Sequence, residues 1–171
     1  TLETALGKTE KPISPRIPLP DYRTERNFPE PIATEDVIRA TLVSLAETLC
    51  AALEQRGEGA RRLEAAFFRA DGAVMRIAVE TGSPTREPAI IERLFREKLD
   101  ALADPLDPGF GFDVIRLSAS RTQRCETALA DFNADLNAER EIRFLVDRLS
   151  ARFGAHRVLA FRPNDTHIPE A

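Results

Sequence analysis

Hydrophobic residues recur along the chain at two spacings, one typical of helices and one typical of strands. The helical spacing runs from Thr34 to Arg56, where Gly57 ends it, and again from Thr85 to a point before Pro105. The apolar positions of these two predicted helices are Ile38, Leu42, Leu45, Leu49 and Leu53, and then Ile91, Leu94, Phe95, Leu99 and Leu102. One apolar stripe per helix predicts that each packs on a shared core with its other side in water.

Alternation with a period of two predicts four strands. Residues 61–69 and 74–80 alternate in this way, and Asp71-Gly72 between them is a strong hairpin signal. Two further strands are predicted over residues 112–119 and, as an edge strand ended by Pro29 and Pro31, over residues 21–28. The apolar side of the hairpin and the strand at 112–119 carries Leu63, Ala65, Phe67, Met75, Ile77, Val79, Ile115 and Leu117.

The order of these elements is β-α-β-β-α-β, which predicts an α+β fold. We expect a four-stranded antiparallel sheet with two helices on one face and an open opposite face. A C-terminal helix with apolar residues at 142, 145, 146, 149 and 153 and a polar tail follow, with a short strand over 156–161. The predicted organisation is a proline-rich linker over 1–20, a folded domain over 21–120 and a C-terminal segment over 121–171.

Composition and charge narrow the class of protein without deciding its partner. The 171 residues carry a net charge of −4, which disfavours binding of nucleic acid through bulk positive charge. Arginine supplies 21 of the 24 basic residues, which fits either the codon bias of a GC-rich genome or selection for the guanidinium fork that binds phosphate. No apolar run approaches the roughly 20 residues of a membrane helix and no secretory signal is present, so we expect a cytoplasmic protein.

The sequence offers no catalytic or metal-binding constellation. Nucleophilic catalysis needs an activating base, and the two histidines, His156 and His167, both lie near the C-terminus. We interpret Cys50 as a buried apolar residue and Cys125 as an unused thiol. Because no phosphate-binding or zinc-protease motif occurs either, the sequence predicts no catalytic residue, no metal and no cofactor.

A candidate binding surface remains on the open face of the sheet. The period of two places Arg62, Arg76 and Arg116 together there, and a row of guanidinium groups suits phosphate oxygens. Glu64 and Glu80 share this face, so a solvated surface with cross-strand ion pairs is an equally good interpretation.

The segment Thr81 to Thr85 is a second candidate site. As a loop at the start of the second helix, it would offer the hydroxyls of Ser83 and Thr85 and free backbone N–H groups to an anion, with Arg86 alongside. Simple N-capping of the helix by Thr85 is the alternative interpretation.

Several short segments occur in an order that is typical of one family. They are Phe28-Pro29-Glu30-Pro31-Ile32, Arg62-Leu63, Asp71-Gly72, Gly82-Ser83-Pro84-Thr85-Arg86-Glu87-Pro88, residues 147–154 and residues 165–170. In this order they resemble the C-terminal part of ImuB-type proteins, which belong to the Y-family DNA polymerase superfamily. The resemblance covers nearly the whole chain, with residues 5–7 where a thumb domain would end and residues 8–20 as a tether.

The resemblance implies a fold, a role and a set of partners. Residues 21–120 would be a little finger domain, whose open sheet lies on the phosphates of duplex DNA. The DNA contacts that this implies are Arg62, Arg76, Arg116, Ser83, Thr85 and Arg86. The chain would be a non-catalytic part of a polymerase-like, catalytically degenerate bacterial protein that serves damage-induced mutagenesis and translesion synthesis at the nucleoid. Its partners would be a sliding clamp and a replicative-type polymerase or an accessory mutagenesis protein.

Two features depart from the pattern of that family. The chain contains no palm or fingers, so no catalytic residue carries over. The clamp-binding pattern, a Gln followed three positions later by Leu, corresponds to Asn133 and Leu136, where Asn replaces Gln and nothing apolar follows Leu136. An alternative function is a protein–protein interaction module without direct DNA contact, which the net charge and the predicted C-terminal helix favour.

Overall fold

The computed structural model describes residues 22–102, 106–125 and 134–159, and these form four strands and three helices. The elements are β1 (Tyr22–Ile32), α1 (Glu35–Gln55), β2 (Glu58–Arg69), β3 (Val74–Thr85), α2 (Pro88–Asp100), β4 (Phe112–Arg124) and α3 (Ala134–Phe153). The predicted α+β fold with β-α-β-β-α-β order is therefore confirmed. Residues 1–20, which we predict to be a linker, lie outside the described residues.

The four strands form one antiparallel sheet in the order β1-β4-β2-β3. Ala65 on β2 lies opposite Leu117 on β4 and Ile77 on β3, which puts the apolar positions of neighbouring strands on one side. β1 and β3 are the outer strands, as we predicted for the first of them.

The core lies between one face of this sheet and the helices α1 and α2. All five predicted apolar positions of α1 are buried, and so are Ile91, Leu94 and Phe95 of α2. At the centre, the rings of Phe67 and Phe112 pack with their centroids 5.5 Å apart. Burial of these side chains supplies the main favourable free energy of folding.

All four strands extend further than their sequence patterns predict, and β2 begins at Glu58 instead of Arg61. β1 continues through Pro29 and Pro31 instead of ending there, which an outer strand allows because the missing N–H groups need no partner on the free side. β4 continues to Arg124, and β3 continues through the predicted loop to Thr85. Simple alternation fails in these extensions because the ladders contain bulges, which shift the register of the following residues.

The predicted strand over residues 156–161 is wrong in its described part. Ala155–Arg157 form a turn of 3₁₀ helix directly after α3, and Gly154 between them has a φ of 93°. A residue in that conformation ends a helix and redirects the chain, and glycine adopts it without a steric penalty.

Candidate nucleic-acid interface

The open face of the sheet carries polar side chains from all four strands. Residues that pair across neighbouring strands point to the same side, and α1 and α2 pack on the other side. The register therefore assigns to this face Arg23, Glu25, Asn27, Arg62, Glu64, Ala66, Phe68, Val74, Arg76, Ala78, Glu80, Val114, Arg116, Ser118 and Arg121. The face is basic on balance, with five arginines against three glutamates, although the whole chain is acidic.

The register brings the three predicted arginines, Arg62, Arg76 and Arg116, onto this face, and each of them binds a glutamate on a neighbouring strand. The ion pairs are Arg62–Glu80 at 2.9 Å, Arg76–Glu64 at 2.7 Å and Arg116–Glu25 at 2.8 Å. The cross-strand ion pairs of the alternative interpretation are thus present. The side chains of Arg62 and Arg76 stay 49% and 56% exposed in these pairs, whereas that of Arg116 is 27% exposed.

Arg116 is held more tightly than the other two. Its guanidinium carbon lies 4.8 Å from the centroid of the Phe68 ring, while its Nε donates to Glu25. Phe68 stands in one cross-strand row with Val74 and Val114, so one end of the open face is apolar. The basic groups are displaced towards the rest of the face.

Two further arginines lie on this face and were not among the predicted contacts. Arg23 is the partner of Ser118, and Arg121 is the direct partner of Arg62. Both are exposed, and neither has an ion pair with another described residue. Among the described residues, they are therefore the cations of this face whose charge no carboxylate offsets.

The sequence contained a signal for each of these arginines. Arg23 alternates with Thr24 in the predicted edge strand and so falls on its polar side. Arg121 is separated from the core residues Leu117 and Ala119 by steps of two, so regular alternation would point its side chain into the core. Burial of an unpaired guanidinium there would cost folding free energy. A bulge at Ser120 avoids that cost by turning Arg121 to the open side.

The Thr81 to Thr85 segment is not the helix-start loop that we predicted. It belongs to β3 and forms a large bulge there. From the pair Arg62–Glu80 to the pair Ala60–Thr85, the chain advances five residues along β3 but only two along β2. α2 begins only at Pro88, and the hydroxyl of the buried Thr85 accepts a hydrogen bond from Glu87 N at 3.3 Å. The segment therefore has no helix N-terminus to offer to an anion.

The individual groups of this segment are also partly engaged. The guanidinium of Arg86 donates to Cys125 O at 3.1 Å, and Ser83 Oγ lies 3.5 Å from a guanidinium nitrogen of Arg143. Nothing in the geometry tests whether Ser83, Thr85 and Arg86 bind DNA, and this stays a prediction.

α3 packs beside the bulge and α2 through the buried side chains of Asp147 and Ala151 and through ion pairs with Glu97. Asp147 is 6% exposed and accepts a hydrogen bond from Gly82 N at 2.7 Å, which satisfies an N–H group that the bulge removes from the strand ladder. Glu97 of α2 binds Arg148 at 2.5 Å and Arg152 at 3.2 Å. Burial raises the pKa of Asp147, whereas the hydrogen bond from Arg148 lowers that of Glu97. Ionised Glu97 thus favours the packed position of α3, and ionisation of Asp147 opposes it.

The apolar stripe of α3 points away from the rest of the domain. Ile142 is 61% exposed, and Leu145, Val146, Leu149 and Phe153 are between 37% and 52% exposed. The sequence predicted an amphipathic helix here, but hydrophobic spacing alone could not tell which side packs on the domain. The described contacts assign that role to the polar side.

The described residues contain no group of three or more His, Cys, Asp or Glu that could hold a metal ion. Cys50 is buried, and burial raises the pKa of its thiol to about 12, so it packs as an apolar residue, as predicted. His156 is exposed in the 3₁₀ turn, and His167 lies outside the described residues.

Two further features of the sequence concern membrane helices and the clamp-binding motif. No helix of that part of the chain combines the length and the apolar character of a bilayer span. Of the two predicted clamp-binding residues, Asn133 lies outside the described residues and Leu136 belongs to α3. Clamp binding through this motif stays a prediction.

Comparison with known proteins gives matches over most of the chain. Residues 21–124 match the model of the impB/mucB/samB family C-terminal domain. Two proteins named Protein ImuB, from Caulobacter vibrioides strains NA1000 and CB 15, are each 35% identical over 99% of this chain. The chain spans only 36% of the length of these relatives.

Two solved structures are also similar over part of this chain. A complex of the beta-clamp processivity factor and the little finger domain of PolIV matches 66% of this chain and 94% of its own, with 15% identity and a TM-score of 0.45. A post-insertion binary complex of Dbh DNA polymerase matches 68% of this chain and 32% of its own, with 14% identity and a TM-score of 0.43. On the evidence of the family match, which covers more than half of its residues, this chain belongs to the impB/mucB/samB family.

Proposed function

We propose that this chain is the non-catalytic DNA-binding and protein-docking part of a Y-family polymerase-like protein that acts in damage-induced mutagenesis and translesion synthesis. Membership of the family supports this proposal, and so does the resemblance of the chain to ImuB-type proteins. The parent protein would be catalytically degenerate and would work in the bacterial cytoplasm at the nucleoid. The observation that carries the DNA-binding part is the set of five arginines on the uncovered face of the sheet.

These arginines suit the backbone of duplex DNA better than they suit its bases. Guanidinium groups bind phosphate oxygens through two parallel N–H donors, and contacts of this kind position a duplex without reading its sequence. They project from a broad β-sheet, whereas the major groove admits a helix or a two-stranded ribbon. We therefore expect weak binding that is indifferent to sequence and falls steeply with salt.

Replacing Arg62, Arg76 and Arg116 together by alanine tests this assignment. We expect the affinity for a duplex to fall by about 10- to 100-fold at low salt, since each bond between a guanidinium and a phosphate contributes roughly 1 kcal/mol. The slope of log affinity against log salt should also become shallower, by about 0.9 for each phosphate that the variant no longer neutralises. Filter binding over a range of salt concentrations measures both quantities.

A matched control removes the same charge from the helical layer. Arg39, Arg93 and Arg96 lie on α1 and α2, and their replacement by alanine should change duplex affinity much less. Equal decreases in the two triple variants would mean that net charge alone governs binding, and the assignment to the open face would then be wrong.

A second candidate function, protein docking without DNA contact, is favoured by the exposed stripe of α3. A contiguous apolar strip on a surface helix is typical of a binding site for another protein. The partners that the family resemblance suggests are a sliding clamp and a replicative-type polymerase or an accessory mutagenesis protein.

Replacing Leu145 and Leu149 by glutamate tests this second function. Both side chains are substantially exposed, so the variant should fold normally and lose capture of such partners in a pull-down while it keeps duplex affinity. Glutamate at the exposed Ala155, beyond the helix, serves as a control that should leave capture unchanged. Retained capture by the α3 variant would exclude the stripe as the docking surface.

A further inference from the structure

The three ion pairs of the open face share one arrangement. Each joins an arginine to a glutamate of an adjacent strand, and the distances between nitrogen and oxygen lie between 2.7 and 2.9 Å. The carboxylates therefore occupy the donors that a phosphate group would need. Arg23 and Arg121 have no such carboxylate among the described residues.

The glutamates of these pairs are only partly buried, so an approaching phosphate group can reach them. The glutamate side chains are 35%, 31% and 47% exposed for Glu25, Glu64 and Glu80. Ion pairs with a largely exposed partner, such as Arg62–Glu80 and Arg76–Glu64, contribute little to folding stability, so stability is a weak reason for keeping them on this face. A phosphate oxygen accepts the same forked N–H donors as a carboxylate and can replace it on the guanidinium.

We propose that Glu25, Glu64 and Glu80 compete with phosphate for the arginines of the open face and so keep its affinity for duplex DNA low. This inference rests on the proposed DNA-binding function. A duplex that approaches first meets Arg23 and Arg121, and each further contact requires that a guanidinium leave its glutamate. The released carboxylate then lies close to the polyanion, which opposes tight binding through like-charge repulsion.

The competition also predicts an unusual salt dependence. Binding of DNA releases cations from the phosphates, but each glutamate freed from its arginine adds a negative charge beside the phosphates, which holds back part of that release. The net release is therefore smaller than the number of phosphate contacts alone implies. Removing the carboxylates should steepen the dependence of affinity on salt.

The test replaces Glu25, Glu64 and Glu80 together by glutamine, which keeps the size and polarity of each side chain. We expect the dissociation constant for a duplex at low salt to fall by about tenfold, and the salt dependence to become steeper. The control variant carries Asp36→Asn, Glu47→Gln and Glu54→Gln on exposed positions of α1, which changes the net charge by the same amount. It should bind the duplex nearly as the wild-type chain does.

The outcomes separate this inference from the function on which it rests. The competition would be overturned if the affinity of the glutamine variant were unchanged or weaker, or if the affinity of the control rose equally. Weaker affinity would identify the glutamates as groups that orient the arginines. Failure of both the wild-type chain and the glutamine variant to bind a duplex would overturn the proposed DNA-binding function as well. Binding by the wild-type chain that depends on Arg62, Arg76 and Arg116 would leave that function intact in either case.

Discussion

Replacement of Phe67 by alanine is expected to lower the free energy of unfolding by about 3–5 kcal/mol. Phe67 is fully buried on the inner strand β2, and its ring packs against that of Phe112. The alanine variant would have a cavity between the sheet and the helices, and a close-packed interior relaxes only partly into such a space. Urea denaturation, followed by circular dichroism, measures the decrease when the variant and the wild-type chain are analysed with a common m-value.

Phe110 offers a matched control for this prediction. Its side chain is 84% exposed in the turn before β4, so its replacement by alanine should change stability by no more than about 0.5 kcal/mol. Similar decreases for the two phenylalanines would be incompatible with a core centred on Phe67.

Replacement of Gly111 by alanine is expected to cost about 3 kcal/mol or more of folding stability. Gly111 has a φ of 102°, which strains any residue with a Cβ atom. An added Cβ would also lie 2.6 Å from Pro31 Cβ and 2.9 Å from its backbone carbonyl carbon, so the end of β1 would have to move away from β4. Hydrogen exchange of the β1 amides, together with urea denaturation, measures the loosening and the total decrease in stability.

Gly72 separates the two causes. It has a φ of 89° in the hairpin turn, but an added Cβ would meet no atom within 4 Å. Gly72→Ala should therefore show only the backbone strain, about 1–2 kcal/mol, and should leave exchange in β1 unchanged. If the two variants were destabilised equally, the close approach of Pro31 to Gly111 would have no energetic importance.

The order of the elements and the division between core and open face could be predicted from hydrophobic spacing. That spacing reports burial on one side of an element. On β2, for example, the buried positions Leu63, Ala65 and Phe67 are two residues apart, as expected for a strand. It was less informative where a ladder is irregular. The bulge at Ser120 adds one residue to β4 only, so Arg121 lies on the open face although it alternates with the core residues Leu117 and Ala119.

The candidate site was predictable in its location, and Glu64 and Glu80 were predicted to share its face, but which arginine each glutamate binds was not predictable. Alternation placed Arg62, Arg76 and Arg116 on one face, yet the identity of each partner glutamate depends on strand register. The pairing of Arg116 with Glu25 joins residues 91 positions apart, on the strands β1 and β4 that come first and last along the chain. No local pattern contains that information.

The orientation of α3 could not be predicted for a similar reason. Its apolar stripe was visible in the sequence, but the contacts of Asp147 with Gly82 and of Arg148 with Glu97 depend on the bulge and on α2. A helix whose polar side packs inwards departs from the usual rule for amphipathic helices.

The two prolines of β1 bear on how copies of this domain behave at high concentration. A free strand edge can recruit a strand from another molecule through its backbone donors and thereby start aggregation. Pro29 and Pro31 offer no N–H, and the regular ladder with β4 covers only the six residues from Tyr22 to Asn27 before it becomes irregular. The end of the β1 edge, from Phe28 to Ile32, is therefore a poor template for intermolecular strand addition.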